Sequence, residues 1–266
     1  MNTGLYLIFL AVSFGASVVG AICGIGGGVL MKPLLDAFGV LSVASISFLS
    51  GCTVLSMSCY SLVKYKMGGS SLVDAKTGTP LALGAAVGGV IGKEMFQYLS
   101  GLAVNKNHVG AIQAAFLLVI TFGTMIYTLN KKKIHTYQIR NFAICALIGL
   151  VLGIFSSFLG IGGGPINLVV LFFFFSMGTK EAAQNSLYII LFSQLASLLN
   201  TLVTGTVPEF SWSLLAIMVS GGIAGGMAGR VFNKRMDEHM INTLFNLIMG
   251  MIILICVYNM NRFMLH

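Results

Sequence analysis

Two glycine clusters hold the best prospects for chemistry in this sequence. Gly24-Ile25-Gly26-Gly27-Gly28 recurs 136 positions later as Gly160-Ile161-Gly162-Gly163-Gly164. Each copy follows an apolar run of helix length and precedes a short apolar run. Four glycines in five residues cannot continue a stable helix, because each loses much backbone entropy and covers nothing. Each copy therefore reads as a break inside a hydrophobic element, with a new helix starting at Gly28/Val29 and at Gly164/Pro165. A helix start leaves N–H groups without intrahelical partners and carries roughly half a positive charge. Two starts brought together form an anion site made of backbone. Pro165 suits such a start, since its missing N–H would have had no partner there. The competing reading gives the glycines close helix packing only; the recurrence of the break favours a site.

Polar residues near the breaks extend the candidate set. Ser50 and Ser186 stand at the same 136 offset. Hydroxyls in membrane helices commonly bond back to their own backbone, which is the preferred reading for Ser56, but repeat equivalence lifts Ser50 and Ser186 above it. Asn185 and Gln194 are costly in lipid and should face a cavity or another helix. Lys32, the one basic residue on a short arm, either balances a bound anion or snorkels to the surface. The expected substrate-binding set is Gly24, Gly26, Gly27, Gly28, Lys32, Ser50, Gly160, Gly162, Gly163, Gly164, Asn185, Ser186 and Gln194. Enzymatic patterns fail. The nearest approach to a P-loop, Val87 to Glu94, lacks its first Gly and ends in Glu, and Val29 and Pro165 stand where a dinucleotide fold needs a third Gly. His108, His135, His239 and His266 show no metal-ligand spacing. No enzyme activity, metal or cofactor is expected.

The elements that must position these residues follow from composition. Hydrophobic residues make up 57% of the 266 positions and charged residues 8%, where soluble domains carry about 25% charged. This is an all-α polytopic membrane protein in contact with the lipid bilayer. No basic residue precedes Lys32, so the first run reads as retained rather than as a cleaved signal peptide. The net charge of +8 reads as loop charge that orients helices, and no nucleic acid partner is expected. The five cysteines form no CxxC pair and lie in apolar runs. Apolar runs cover residues 4–23, 42–63, 77–103, 109–129, 141–159, 182–204, 211–229 and 239–258, of which the long arms 4–23 and 141–159 are nearly long enough to span. The short arms are 29–39 and 165–177. Small residues recur every fourth position at Gly84, Gly88, Gly92 and at Gly221, Gly225, Gly229, a spacing that lets helix backbones approach closely.

Motif, spacing and element order indicate a duplication. The expected division is a first membrane repeat over 1–130, a basic cytoplasmic linker over 131–140 and a second membrane repeat over 141–266. If each long-arm/break/short-arm unit returns to its starting side, Lys64, Lys66, Lys76, Lys131, Lys132, Lys133, Arg140, Lys180, Arg230, Lys234 and Arg235 gather on one side. Lys32, Lys93, Lys106 and Arg262 fall on the other. That bias satisfies the positive-inside rule and predicts two inverted repeats, each a Gly-broken helical hairpin plus three transmembrane helices, with the N-terminus outside. Re-entrant hairpins and broken double crossings have the same parity.

The paired clusters, the first followed by Pro33, resemble the doubled GxGGG motifs of the TauE/SafE sulfite exporter family, and the likeness in element order covers almost the whole chain. In the second copy Pro165 follows the glycines at once and Val169 takes the place of Pro33. The resemblance implies a multi-pass cell-membrane transporter of small sulfur-containing anions such as sulfite or organosulfonates, acting in export. Inverted repeats with broken helices suit alternating access by a secondary transporter, with a small anion as partner. An anion channel of the same architecture and a non-transporting membrane assembly subunit are the alternatives. A homodimer is open, with nothing in the sequence to support it.

Overall fold

The computed structural model describes residues 3–102 and 106–265, and the regular secondary structure among them is all helical. Residues 1–2, 103–105 and 266, which belong to the expected repeats, and the side chains of Thr3, Lys106, Asn107, Lys132, Met264 and Leu265 lie outside the description. The helices are α1 (Thr3–Cys23), α2 (Gly28–Phe38), α3 (Val43–Met67), α4 (Ala75–Leu102), α5 (Lys106–Asn130), α6 (Phe142–Phe158), α7 (Pro165–Phe175), α8 (Thr179–Val203), α9 (Trp212–Arg235) and α10 (Glu238–Leu265), with a single 3₁₀ turn at Lys131–Lys133.

Local chemistry sets the boundaries. Ser42 caps α3 by accepting from the Ser45 N–H, and Asn141 caps α6 by accepting from Ala143 and Ile144. Asp74 starts α4, accepting the Thr77 hydroxyl and the Lys76 N–H. Partial burial pushes its carboxyl pKa up, but these bonds and the Lys76 charge outweigh burial and hold it below the usual range. Helices α9 and α10 run past the apolar segments expected from sequence, to Arg235 and Leu265, because their charged ends remain helical.

Among the described residues, six helices are long and apolar enough to cross a membrane: α1, α3, α5, α8, α9 and α10. Helix α4 has the length, at 28 residues, but glycines, Lys93 and Glu94 dilute its hydropathy. It packs between other helices. Helices α2 and α7 have 11 residues each, about 16 Å, roughly half a bilayer core. The first hairpin thus joins an arm of spanning length to an arm of half that reach. Leu7, Val119, Leu147 and Leu254 turn outward and are more than three-fifths exposed, as a lipid-facing surface requires.

The glycine stripes do what their spacing predicts. A methyl group on Gly84, Gly88 or Gly92 would strike the Ala146, Leu150 or Ile154 carbonyl of α6. On Gly221, Gly225 or Gly229 it would strike Ser13, Phe14 or Val18 of α1. The other face of α4 meets α8 through Gly89 and Ser193, and the other face of α9 meets α3 through Gly222 and Thr53. So α4 lies between α6 and α8, and α9 lies between α1 and α3. Helix α10 serves as a ruler for direction. The α2 carbonyls of Asp36 and Ala37 accept from Arg262, near the last turn of α10, while Gly178, just beyond α7, faces Glu238 at its first.

The 131–140 segment follows α5 as the 3₁₀ turn and then as extended chain along the end of α7. Tyr137 and Ile139 donate their N–H groups to the Phe173 and Phe174 carbonyls at 2.8 and 3.0 Å.

Gly88→Leu places a branched side chain against the Leu150 carbonyl, and overpacking of this kind costs about 1–3 kcal/mol or more. Thermal unfolding in detergent should show a clear fall in midpoint for Gly88→Leu. Gly123→Leu, on the open face of α5 with nothing within 4 Å, should leave the midpoint unchanged.

Candidate functional site

Both glycine clusters form the expected breaks. Gly26 and Gly162 adopt φ of 71° and 68°, a left-handed conformation that side chains disfavour. Ile25 and Ile161 anchor the breaks as fully enclosed apolar plugs. The two breaks touch each other through backbone. A methyl group on Gly28 would collide with the Ile161 carbonyl, and one on Gly26 would lie 3.4 Å from the Gly162 oxygen. The outer contacts are reciprocal: Gly24 presses on Ala183 of α8 and Gly160 on Ser47 of α3, both pairs related by the offset of 136.

The breaks present donors. Among the described residues, the N–H groups of Gly26, Gly27, Gly28, Gly162 and Gly163 have no hydrogen-bond partner, and nor does that of Gly164. The Oγ atoms of Ser17, Ser47, Ser50 and Ser186 are buried and unpartnered, as are both amide atoms of Asn167 in the first turn of α7. Ser50 Oγ lies 3.0 Å from where a methyl on Gly28 would sit, and Ser17 Oγ 3.0 Å from one on Gly27. Buried polar groups are rarely left without a partner, so this concentration calls for a polar occupant. Two helix starts and a set of hydroxyl and amide donors suit an oxyanion.

Gln194 reaches the second break, its Cδ 3.4 Å from a methyl built on Gly162. Asn185 does not reach either break. Its Nδ2 donates to the Leu72 and Glu181 carbonyls and its Oδ1 accepts from the Asp74 N–H. Together with Gln184, which bonds Ser70 and Leu72, it pins the loop between α3 and α4.

Lys32 neither snorkels nor stands as an uncompensated charge. It is 3% exposed, and its Nζ donates to Asp36 Oδ2 at 2.7 Å. Its stem still passes the second break, with Cε 3.3 Å from a methyl on Gly160. Asp36 is the acidic residue that sequence reasoning missed. Its signal was present: Lys32 and Asp36 are the only charges on an eleven-residue arm and stand i, i+4, the spacing of facing helix neighbours. Asn259 of α10 fixes the arm by donating to the Pro33 carbonyl at 2.8 Å.

Removing one member of a buried ion pair leaves the other charge uncompensated and costs about 3–5 kcal/mol, whereas replacing both by apolar groups is often neutral. Asp36→Asn should therefore lower the thermal midpoint sharply. Lys32→Met with Asp36→Leu should recover most of the loss. Equal melting of Asp36→Asn and the parent would show that the pair is not enclosed as described.

Comparison with known proteins agrees with this architecture. The chain matches Sulfite exporter TauE/SafE over residues 9–257. It is also similar to the Bacillus subtilis (strain 168) protein named Probable membrane transporter protein YunE, at 24% identity over 243 residues, covering 81% of this chain and 84% of that protein. No solved structure matches the chain. A family match that runs through both hairpins and nearly every helix makes this chain a member of the TauE/SafE sulfite exporter family, a multi-pass membrane transporter and not an enzyme.

Proposed function

We propose that the chain is a secondary transporter that exports small sulfur-containing oxyanions, sulfite or organosulfonates, by alternating access. The observation that carries this reading is the meeting of the two helix-start breaks, Gly24–Gly28 and Gly160–Gly164, with their unpartnered N–H groups and the Ser50 hydroxyl beside them. The substrate class takes its chemistry from those donors. Oxyanions accept several hydrogen bonds at once, and the helix starts favour negative charge without a dedicated cation.

An inverted duplication supports alternating access. Helices α2 and α7 end at opposite ends of α10. Ser45 in the first turn of α3 donates to the Glu209 carbonyl, while Gln184 near the start of α8 meets the loop that leaves α3. Those contacts support a reading in which α3 and α8, the expected repeat partners, run in opposite directions. The α4–α6 and α9–α1 seams are counterparts in the same sense. Residues from the expected inner charge set meet one another: Arg230 donates to the Lys64 carbonyl, and Arg140 lines a surface cleft with Asp74 and Glu181. A channel would use the same donors, and uphill flux separates the two readings.

Two measurements test the proposal. In proteoliposomes, an outward gradient of unlabelled sulfite should drive labelled sulfite inward against its own gradient. Gly26→Ala and Gly162→Ala should cut that flux at least tenfold in protein that still inserts, because a left-handed position is lost at each break; undiminished flux in both would remove the breaks from the mechanism. Single cysteines at Lys133 and Glu209 should react with an impermeant reagent from opposite faces, and labelling from the same face would overturn the inverted arrangement.

A further inference from the structure

The transport reading leaves one buried cation without a role. Lys93 on α4 is only 8% exposed, yet among the described residues no carboxylate lies within 4 Å and no hydrogen bond engages its ammonium. The ring of Phe96, 5.5 Å away, is its recorded polar contact. Its neighbour Glu94 is exposed on another face of the helix. A lysine enclosed without a counter-charge is costly and is retained where something anionic meets it.

Lys93 also stands between two cavities. On one side is a vestibule of about 460 Å³, walled by Ser42, Gln97, Thr206 and Pro208, at the end where α3 begins. On the other is a small chamber of about 30 Å³ between α3, α4 and α8, lined by Ser47, Gly51, Cys52, Gln194 and Ser197. Lys93 lines both. The chamber borders the second break, since Ser47 faces Gly160 and Gln194 faces Gly162. Vestibule, lysine, chamber and break follow in that order.

We infer that Lys93 is an anion-binding neck, a charge that takes small oxyanions from the glycine breaks through the chamber and hands them to the vestibule. The inference rests on the anion-transport reading for its substrate class. Its logic differs from that of Lys32, whose charge is cancelled by Asp36. The Lys93 ammonium has only a weak aromatic contact to surrender when an anion arrives, so it binds the anion leaving the break and releases it to the vestibule.

Cys52 in the chamber wall is a native reporter. Cys23, Cys145 and Cys256 are buried, so Cys59→Ser leaves Cys52 as the one cysteine with partial exposure, and a further Cys52→Ala control subtracts any background. In the purified full chain, the anionic sulfonatoethyl methanethiosulfonate should modify Cys52 faster than the cationic trimethylammonium reagent. Lys93→Gln should lower that rate ratio on the order of tenfold, as removing a nearby unit charge from a weakly screened site requires, and Lys93→Arg should keep it. A neutral reagent should react equally with all three. Should Lys93→Gln fail to purify, sulfate must slow neutral-reagent modification of the Lys93 protein while dimethyl sulfone does not. A ratio indifferent to Lys93→Gln, or Cys52 inert to every reagent, overturns the neck. Uphill sulfite flux with no charge preference at Cys52 would sink this inference and leave the transporter; preference without uphill flux would do the reverse.

Discussion

The structure depends on one contact between two pieces of backbone, where Gly28 meets the carbonyl of Ile161 and Gly26 meets Gly162. Helix starts bring partial positive charges together when they meet, so the arrangement is unfavourable on its own terms. It is held by apolar plugs, Ile25 and Ile161, and by the helices that clamp each break from outside, α8 on Gly24 and α3 on Gly160. An anion bound between the starts would relieve the repulsion that the packing otherwise has to overcome. The same contact thus explains why the protein needs glycine at these positions and why it would favour a negative occupant.

The glycine seams make that contact possible. A half-length helix such as α2 or α7 has too little surface to hold itself in place, so its position is inherited from longer neighbours. Close carbonyl contacts along α4–α6 and α9–α1 fix those neighbours at short separation. In lipid, where apolar burial supplies no drive between helices, such close packing is the main source of association. The remaining faces of α4 and α9 then press α8 and α3 toward the breaks. Seam and break therefore use glycine differently: the seam glycines space, while Gly24, Gly26, Gly160, Gly162 and Gly163 of the breaks take positive φ and Gly28 admits the Ile161 carbonyl.

Much of this was legible in the residues. The breaks, the short arms and the seam stripes follow from glycine spacing and run length, because those depend on local backbone chemistry. What the sequence hid was tertiary. Asn185 looks like a cavity residue by cost alone, but its amide meets a loop more than a hundred positions away. Lys32 admitted two readings because Asp36 was not weighed beside it; the i, i+4 spacing of the two was the overlooked clue. Lys93 sat among charges at a run end, and only the packing of α4 against α8 encloses it.

The two buried lysines divide the electrostatic work. Near the break, a bare cation would hold an anion too firmly for release and would lie against helix starts that already carry positive character. Asp36 pairs with Lys32 there, so under the proposed function hydrogen-bond donors rather than net charge would recognise the substrate. Binding by donors selects shape and acceptor count more than charge magnitude, which suits discrimination among oxyanions. Farther out, at the proposed neck, long-range charge gathers anions without selecting among them, and Lys93 keeps its own. With the uncompensated cation at the neck and the neutralised one at the break, an anion leaving the break would be drawn outward without having been trapped there.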